Sequence, residues 1–118
     1  MLPSNAMKKT KTNTYRRPPP KTYQRFKQEF PAVVEAYERL GEACHWHGPL
    51  EPKMRELIKI GITIGAGLET GTRAHTRLAL DAGATPEEIR HAALLATTTI
   101  GFPSMMRAIT WINDVLEK

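Results

Sequence analysis

Apolar residues along the chain recur mostly at three- and four-residue intervals, the spacing that puts them on one side of a helix. Tyr23, Phe26, Phe30, Val33, Val34, Tyr37, Leu40, Gly41 and Cys44 form the first such series. Pro31 interrupts it, because proline lacks an N–H and pushes the residue before it out of the helical region. A short helix near 21–29 and a second one beginning at Pro31 and ending before Gly48-Pro49 are therefore predicted. The next segment reads two ways. Ile58, Ile60, Ile62 and Ile64 alternate as in a strand, while Met54, Leu57, Ile58, Gly61, Ile64 and Gly65 make one helical stripe. Isoleucine favours strands, but Pro52-Lys53-Met54 looks like a helix start with proline in its first turn.

From Glu69 the pattern is plainer. Glu69 with Arg73 and Arg77 with Asp81 are acid–base pairs four residues apart on one side of a helix, opposite Gly71, His75, Leu78, Ala79 and Ala82. Gly83 is a natural stop for it. Thr85-Pro86-Glu87-Glu88 is a capping box with proline in the first helical position. The helix it opens carries Ile89, Ala92, Ala93, Ala96 and Ile100 on one side and is expected to run to Gly101-Phe102-Pro103. A last helix holds Met105, Ala108, Ile109, Ile112, Val115 and Leu116 at core spacing. The expected fold is all-α, a compact bundle of five or so short helices.

A length of 118 residues suits one domain. Met1–Ala6 reads as a cloning remnant before a native start at Met7, so 1–20 is set aside as remnant plus leader and 21–118 is taken as the helical domain. The net charge of +5 is unevenly placed. Residues 7–28 hold eight of the 17 basic groups and no acid, leaving nine against 12 and a net −3 elsewhere. A basic arm can meet nucleic acid, but no basic patch with interleaved aromatics continues it, and nucleic acid is disfavoured as a partner. No apolar run approaches a membrane span and no signal peptide is visible, so a cytoplasmic location without membrane association is expected. Cys44 is the single cysteine, which excludes an intrachain disulfide.

Three constellations carry candidate chemistry. Gly65-Ala66-Gly67 with Gly71 follows a possible strand, but its spacing is wrong for a phosphate loop and Glu69 would repel the phosphate. Cys44-His45-Trp46-His47 groups metal-binding side chains, but no second ligand pair stands at finger spacing, and histidines at a helix C-terminus suit its dipole. No metal is expected. His75 is more informative, since it sits on the small, apolar side of its helix. Antiparallel packing of the preceding segment would bring Glu56 near it. A partly buried imidazole–carboxylate pair suits general acid–base work on a small substrate, although a structural pair is the plainer alternative.

The run Arg55-Glu56-Leu57-Ile58, then Arg73-Ala74-His75-Thr76-Arg77, Ala79-Leu80, Gly83, Thr85, Glu88-Ile89 and Gly101-Phe102-Pro103 resembles the signature of the carboxymuconolactone decarboxylase family, within the alkyl hydroperoxidase D-like superfamily. Phe30-Pro31 with Ala36-Tyr37 resembles the family's opening helix, and the likeness covers residues 30–117. It implies that 52–66 is a helix. It also implies His75 as general acid–base, Glu56 orienting it, and Arg73, Arg77 and Phe102 as substrate contacts. The reaction implied is decarboxylation of a small carboxylated lactone or ring acid in aromatic-compound catabolism. No cofactor is implied, and a homotrimer or homohexamer is expected, with broad apolar stripes on so small a chain as an independent motive.

The hydroperoxidase branch carries Cys-x-x-Cys-x-x-x-His. Here Leu68 and Gly71 stand in the cysteine positions. Peroxide reduction needs a thiolate to attack and a second thiol to resolve, so a peroxidase or antioxidant role is disfavoured. A non-catalytic oligomeric scaffold is the remaining alternative.

Overall fold

The computed structural model describes residues 19–118, and most of the segment set aside over 1–20, up to Pro18, lies outside the described residues. Six α-helices and no strand occur among them. The chain divides into two units, one through Pro49 and the other Leu50–Lys118.

The first unit holds α1 (Lys21–Glu29) and α2 (Pro31–Trp46). Pro20 enters α1 in polyproline geometry, with φ −55° and ψ 150°. Phe30 separates the helices at φ −134° and ψ 62°, outside the helical region that Pro31 disfavours for its predecessor. Tyr23 donates to Glu38 at 2.6 Å and Lys27 lies 3.8 Å from the same carboxylate, so α1 folds back on α2.

The second unit contains α3 (Pro52–Ala66), α4 (Glu69–Asp81), α5 (Pro86–Leu94) and α6 (Phe102–Leu116). The alternating isoleucines thus lie on a helix. Ile60 and Ile64 point into the core while Ile58 and Ile62 are exposed, a split that the helical period makes and a strand would not. Gly67, at φ +71°, ends α3: its N–H reaches the Ile64 carbonyl and that of Leu68 reaches Thr63, closing orphan carbonyls of the last turn.

α4 turns back along α3, and α6 packs on α4 while α5 packs on α3. Ile60, Ile89 and Ile112, from α3, α5 and α6, are fully buried at the centre. Each contributes roughly 1.5–3 kcal/mol by leaving water. α4 supplies Thr72, Thr76 and Ala79 instead, and small side chains let its neighbours come close.

The capping box forms as read, with Glu88 N–H to Thr85 Oγ1 at 3.0 Å and Thr85 N–H to Glu88 Oε1 at 2.9 Å. The helix it opens stops at Leu94 and does not reach Ile100. Beyond it, Ala96, Thr97 and Thr99 donate to carbonyls three residues back, the tighter spacing of irregular turns. Thr97-Thr98-Thr99 accounts for this, because β-branched residues crowd a helix and threonine hydroxyls compete for its carbonyls. The Thr99 hydroxyl does so at Leu95.

Candidate active site

The α3–α4 hairpin sets the geometry. Gly67-Leu68 reverses the chain in two residues, so side chains on the inner flank of α3 meet those of α4 in antiparallel order. Thr63 sits beside Gly71 and Thr72, near the turn, and further from it, two turns away on α3 and one on α4, Glu56 meets His75. The spacing is held by buried hydroxyls. Thr72 Oγ1 donates within 3.1 Å of Thr63 Oγ1 and also lies 2.7 Å from the Leu68 carbonyl, while Thr76 bonds the Thr72 carbonyl at 2.7 Å.

His75 Nδ1 is 2.7 Å from Glu56 Oε1. An ionised carboxylate can only accept, so Nδ1 carries the hydrogen and Nε2 is the ring nitrogen left to other chemistry. The Glu56 side chain is 9% exposed and that of His75 24%. The carboxylate is thus buried and the imidazole partly exposed. Such a pair can carry a proton to or from a small molecule without moving.

Arg55 and Lys59 flank Glu56 on α3, one residue before it and three after. Both are half-buried. The Arg55 Nε is closed off from solvent, and burial holds this guanidinium below the usual arginine range, with the Glu56 charge opposing the shift. Arg55 opens the Arg55-Glu56-Leu57-Ile58 run quoted above, and Lys59 lies three residues beyond Glu56.

The arginines flanking His75 in sequence lie elsewhere. Two residues along a helix is a rotation of about 200°, so Arg73 and Arg77 leave α4 on the side away from Glu56. Arg73 bonds Asp114 of α6 at 2.9 Å and Glu69 at 3.1 Å, and the Asp114 hydrogen bond holds its guanidinium above the usual range. Phe102 opens α6 and is 59% exposed.

The cysteine positions of the hydroperoxidase pattern lie at the hairpin turn: Leu68 is exposed and Gly71 faces Thr63. Cys44 is exposed on α2. No group of three or more His, Cys, Asp or Glu side chains is placed to hold a metal among the described residues. A groove of about 560 Å³ runs between α3 and α5, with Leu57, Ile58, Leu95 and Ile100 on its walls, and neither His75 nor Glu56 lines it. No helix among the described residues is long and apolar enough to cross a membrane.

Residues 31–114 match the model of the carboxymuconolactone decarboxylase family. The chain is also 41% identical, over 80 residues, to nitrosuccinic acid decarboxylase of Metarhizium robertsii, an alignment covering 62% of this chain and 54% of that protein. The chain thus spans about half the length of the curated relative it matches.

Proposed function

The chain belongs to the carboxymuconolactone decarboxylase family, and from that premise we propose that it decarboxylates a small acid, with His75 as the proton carrier and Glu56 as its orienting partner. The observation that carries this reading is the 2.7 Å contact from Nδ1 to a buried carboxylate, made by a ring whose side chain is 24% exposed.

The reaction breaks the bond between the carboxylate and its neighbouring carbon. Carbon dioxide departs and the electron pair stays on that carbon, which then takes a proton. His75, protonated on both ring nitrogens, supplies it from Nε2, Glu56 steadies that positive imidazole beforehand, and a proton from solvent returns to Nε2 afterwards. The departing carboxylate must sit beside an electron-withdrawing group that can hold the pair. A nitro group next to it, as in the acid named for the Metarhizium robertsii relative, meets that requirement. A carboxylated lactone or ring acid of the kind met in aromatic-compound breakdown is the related class.

Peroxide chemistry is disfavoured because the two thiol positions hold Leu68 and Gly71. The test is a panel of carboxyl-labelled acids, including nitrosuccinate and a carboxylated lactone, followed by release of labelled carbon dioxide. Release above the uncatalysed rate from at least one, abolished in Glu56→Gln, is expected. Release unaffected by that substitution would remove the site from the reaction.

A further inference from the structure

The first unit has little to hold it together by itself. Val34 is the one buried residue of α1 and α2. Helices of this length are marginal in water on propensity alone, so they need an apolar face packed against something. That face is present on α2. Phe30, Val33, Tyr37, Leu40 and Cys44 follow one another at steps of 3, 4, 3 and 4 residues, which sets them in one row along the helix. The first four are between 51% and 66% exposed, and Cys44 is exposed at the end of the row.

The groove between α3 and α5 is a surface that such a row fits. Val33 to Cys44 and Met54 to Gly65 span the same stretch of helix, about 16 Å. Gly61 and Gly65 of α3 line the groove together with Ala92 and Ala96. A β-carbon at Gly61 or at Gly65 would meet nothing within 4 Å, so there is room over α3 for an incoming side chain. Large anchors at i, i+4 and i+7, here Val33, Tyr37 and Leu40, are how a helix seats in an apolar groove. The row on α2 and the groove residues Ile58, Leu95 and Ile100 are all exposed in the single chain, so their cover comes from another molecule. Two other occupants fit less well. Pairing of α2 with α2 would use a seam of about two heptads, short of the three or four that sustain a coiled coil. Residues 7–17 hold only Met7 and Tyr15 as large apolar side chains.

We propose that the apolar row of α2 in one copy seats in the α3–α5 groove of a second copy, so that each chain's first unit is completed by a neighbour's second unit. The two surfaces differ, so the contact either runs head to tail and closes as a ring or is exchanged reciprocally between two copies. Neither His75 nor Glu56 lines the groove, and the contact stands apart from the proton-transfer reading.

Two variants of the full chain, one on each side of the contact, test it. Leu40→Glu puts a charge into the row at a position that is exposed in the free chain. Gly61→Leu fills the groove from a position where a side chain has room. By light scattering at micromolar concentration the parent should exceed its 13.3 kDa chain mass, and each variant alone should fall to it. Leu40→Met, which keeps an apolar anchor, should associate as the parent does. Mixed in equal amounts, the two variants should recover a species of twice the chain mass, because one brings an intact groove and the other an intact row. That recovery also shows that both are folded. A monomeric parent overturns the proposal, and so does a mixture that stays monomeric. Association that survives Gly61→Leu but not Leu40→Glu would overturn it in favour of α2 pairing with α2. Survival in Leu40→Glu but not in Gly61→Leu would overturn it in favour of groove against groove.

Discussion

Gly71 lies so close to Thr63 that a β-carbon at position 71 would stand 2.9 Å from Thr63 Cγ2. Thr63 has little room to yield, because it is buried, β-branched, and held through its hydroxyl to the Ile60 carbonyl at 2.9 Å. Gly71→Ala should therefore destabilise the protein by about 1–3 kcal/mol through overpacking. Thr63→Ser removes the offending methyl and keeps the hydroxyl, so the double variant should recover most of that loss. Denaturant unfolding of the four proteins in a double-mutant cycle measures the coupling, and independent, additive effects would contradict the contact.

The same contact bears on peroxide chemistry. Without thiols at 68 and 71, the protein should show no peroxide turnover with dithiol donors beyond that of a Cys44→Ala control. Placing cysteines at both positions should fail to install the activity unless Thr63 is also trimmed. Efficient turnover by Leu68→Cys/Gly71→Cys alone would show that the hairpin accommodates a side chain there.

At the start of α5 the prediction concerns acid. Thr85→Ala should lower stability by about 1 kcal/mol at neutral pH through loss of the cap. The Glu88 carboxyl is held below its usual range, first by the Thr85 backbone N–H and then by Lys53. The folded state thus favours the ionised form, and this contribution is complete above the ordinary carboxylate range and lost as pH falls through the lowered value. The stability gap between the parent and Glu88→Gln should be widest near neutrality and close in acid. Urea titrations at several pH values check this, and a gap that widened in acid would contradict the sign.

Much of this architecture was legible along the chain because its stops and starts are chemical. Pro31, Pro52 and Pro86 open helices, Gly67 and Gly83 close them with positive φ, and Thr85 with Glu88 forms a cap visible from four residues. The segment over 52–66 was not legible from periodicity, since isoleucines at alternate positions satisfy both periods and only packing against α4 and α5 distinguishes them. The early end of α5 was missed because apolar spacing continues through Ala96 and Ile100 after the threonines have broken the hydrogen-bond ladder. Within the site, Glu56 and His75 were legible because a hairpin joins them. Arg73 and Arg77 drew notice as sequence neighbours of His75, although residues two apart on a helix face away from one another.

Self-association is the expected state in solution. Met54, Ile58, Ile62, Leu94, Leu95 and Ile100 are each between 42% and 61% exposed on α3, α5 and the turns after it, and apolar residues grouped in this way mark surfaces where proteins associate. Burying several hundred Å² of it would offset roughly 10 kcal/mol against the cost of association. Light scattering at micromolar concentration should give a multiple of the 13.3 kDa chain mass, a trimer or hexamer by resemblance to the family. A clean monomer would contradict this.

The central claim is that His75 carries the proton, and its turnover when replaced tests that most directly. Carbon dioxide release from carboxyl-labelled nitrosuccinate should be compared for the parent and His75→Gln, with matched melting temperatures establishing that both are folded. The account expects kcat to fall about 10²–10⁴-fold, the usual worth of a positioned acid–base group. A His75→Gln protein that releases carbon dioxide at the parent rate would contradict it.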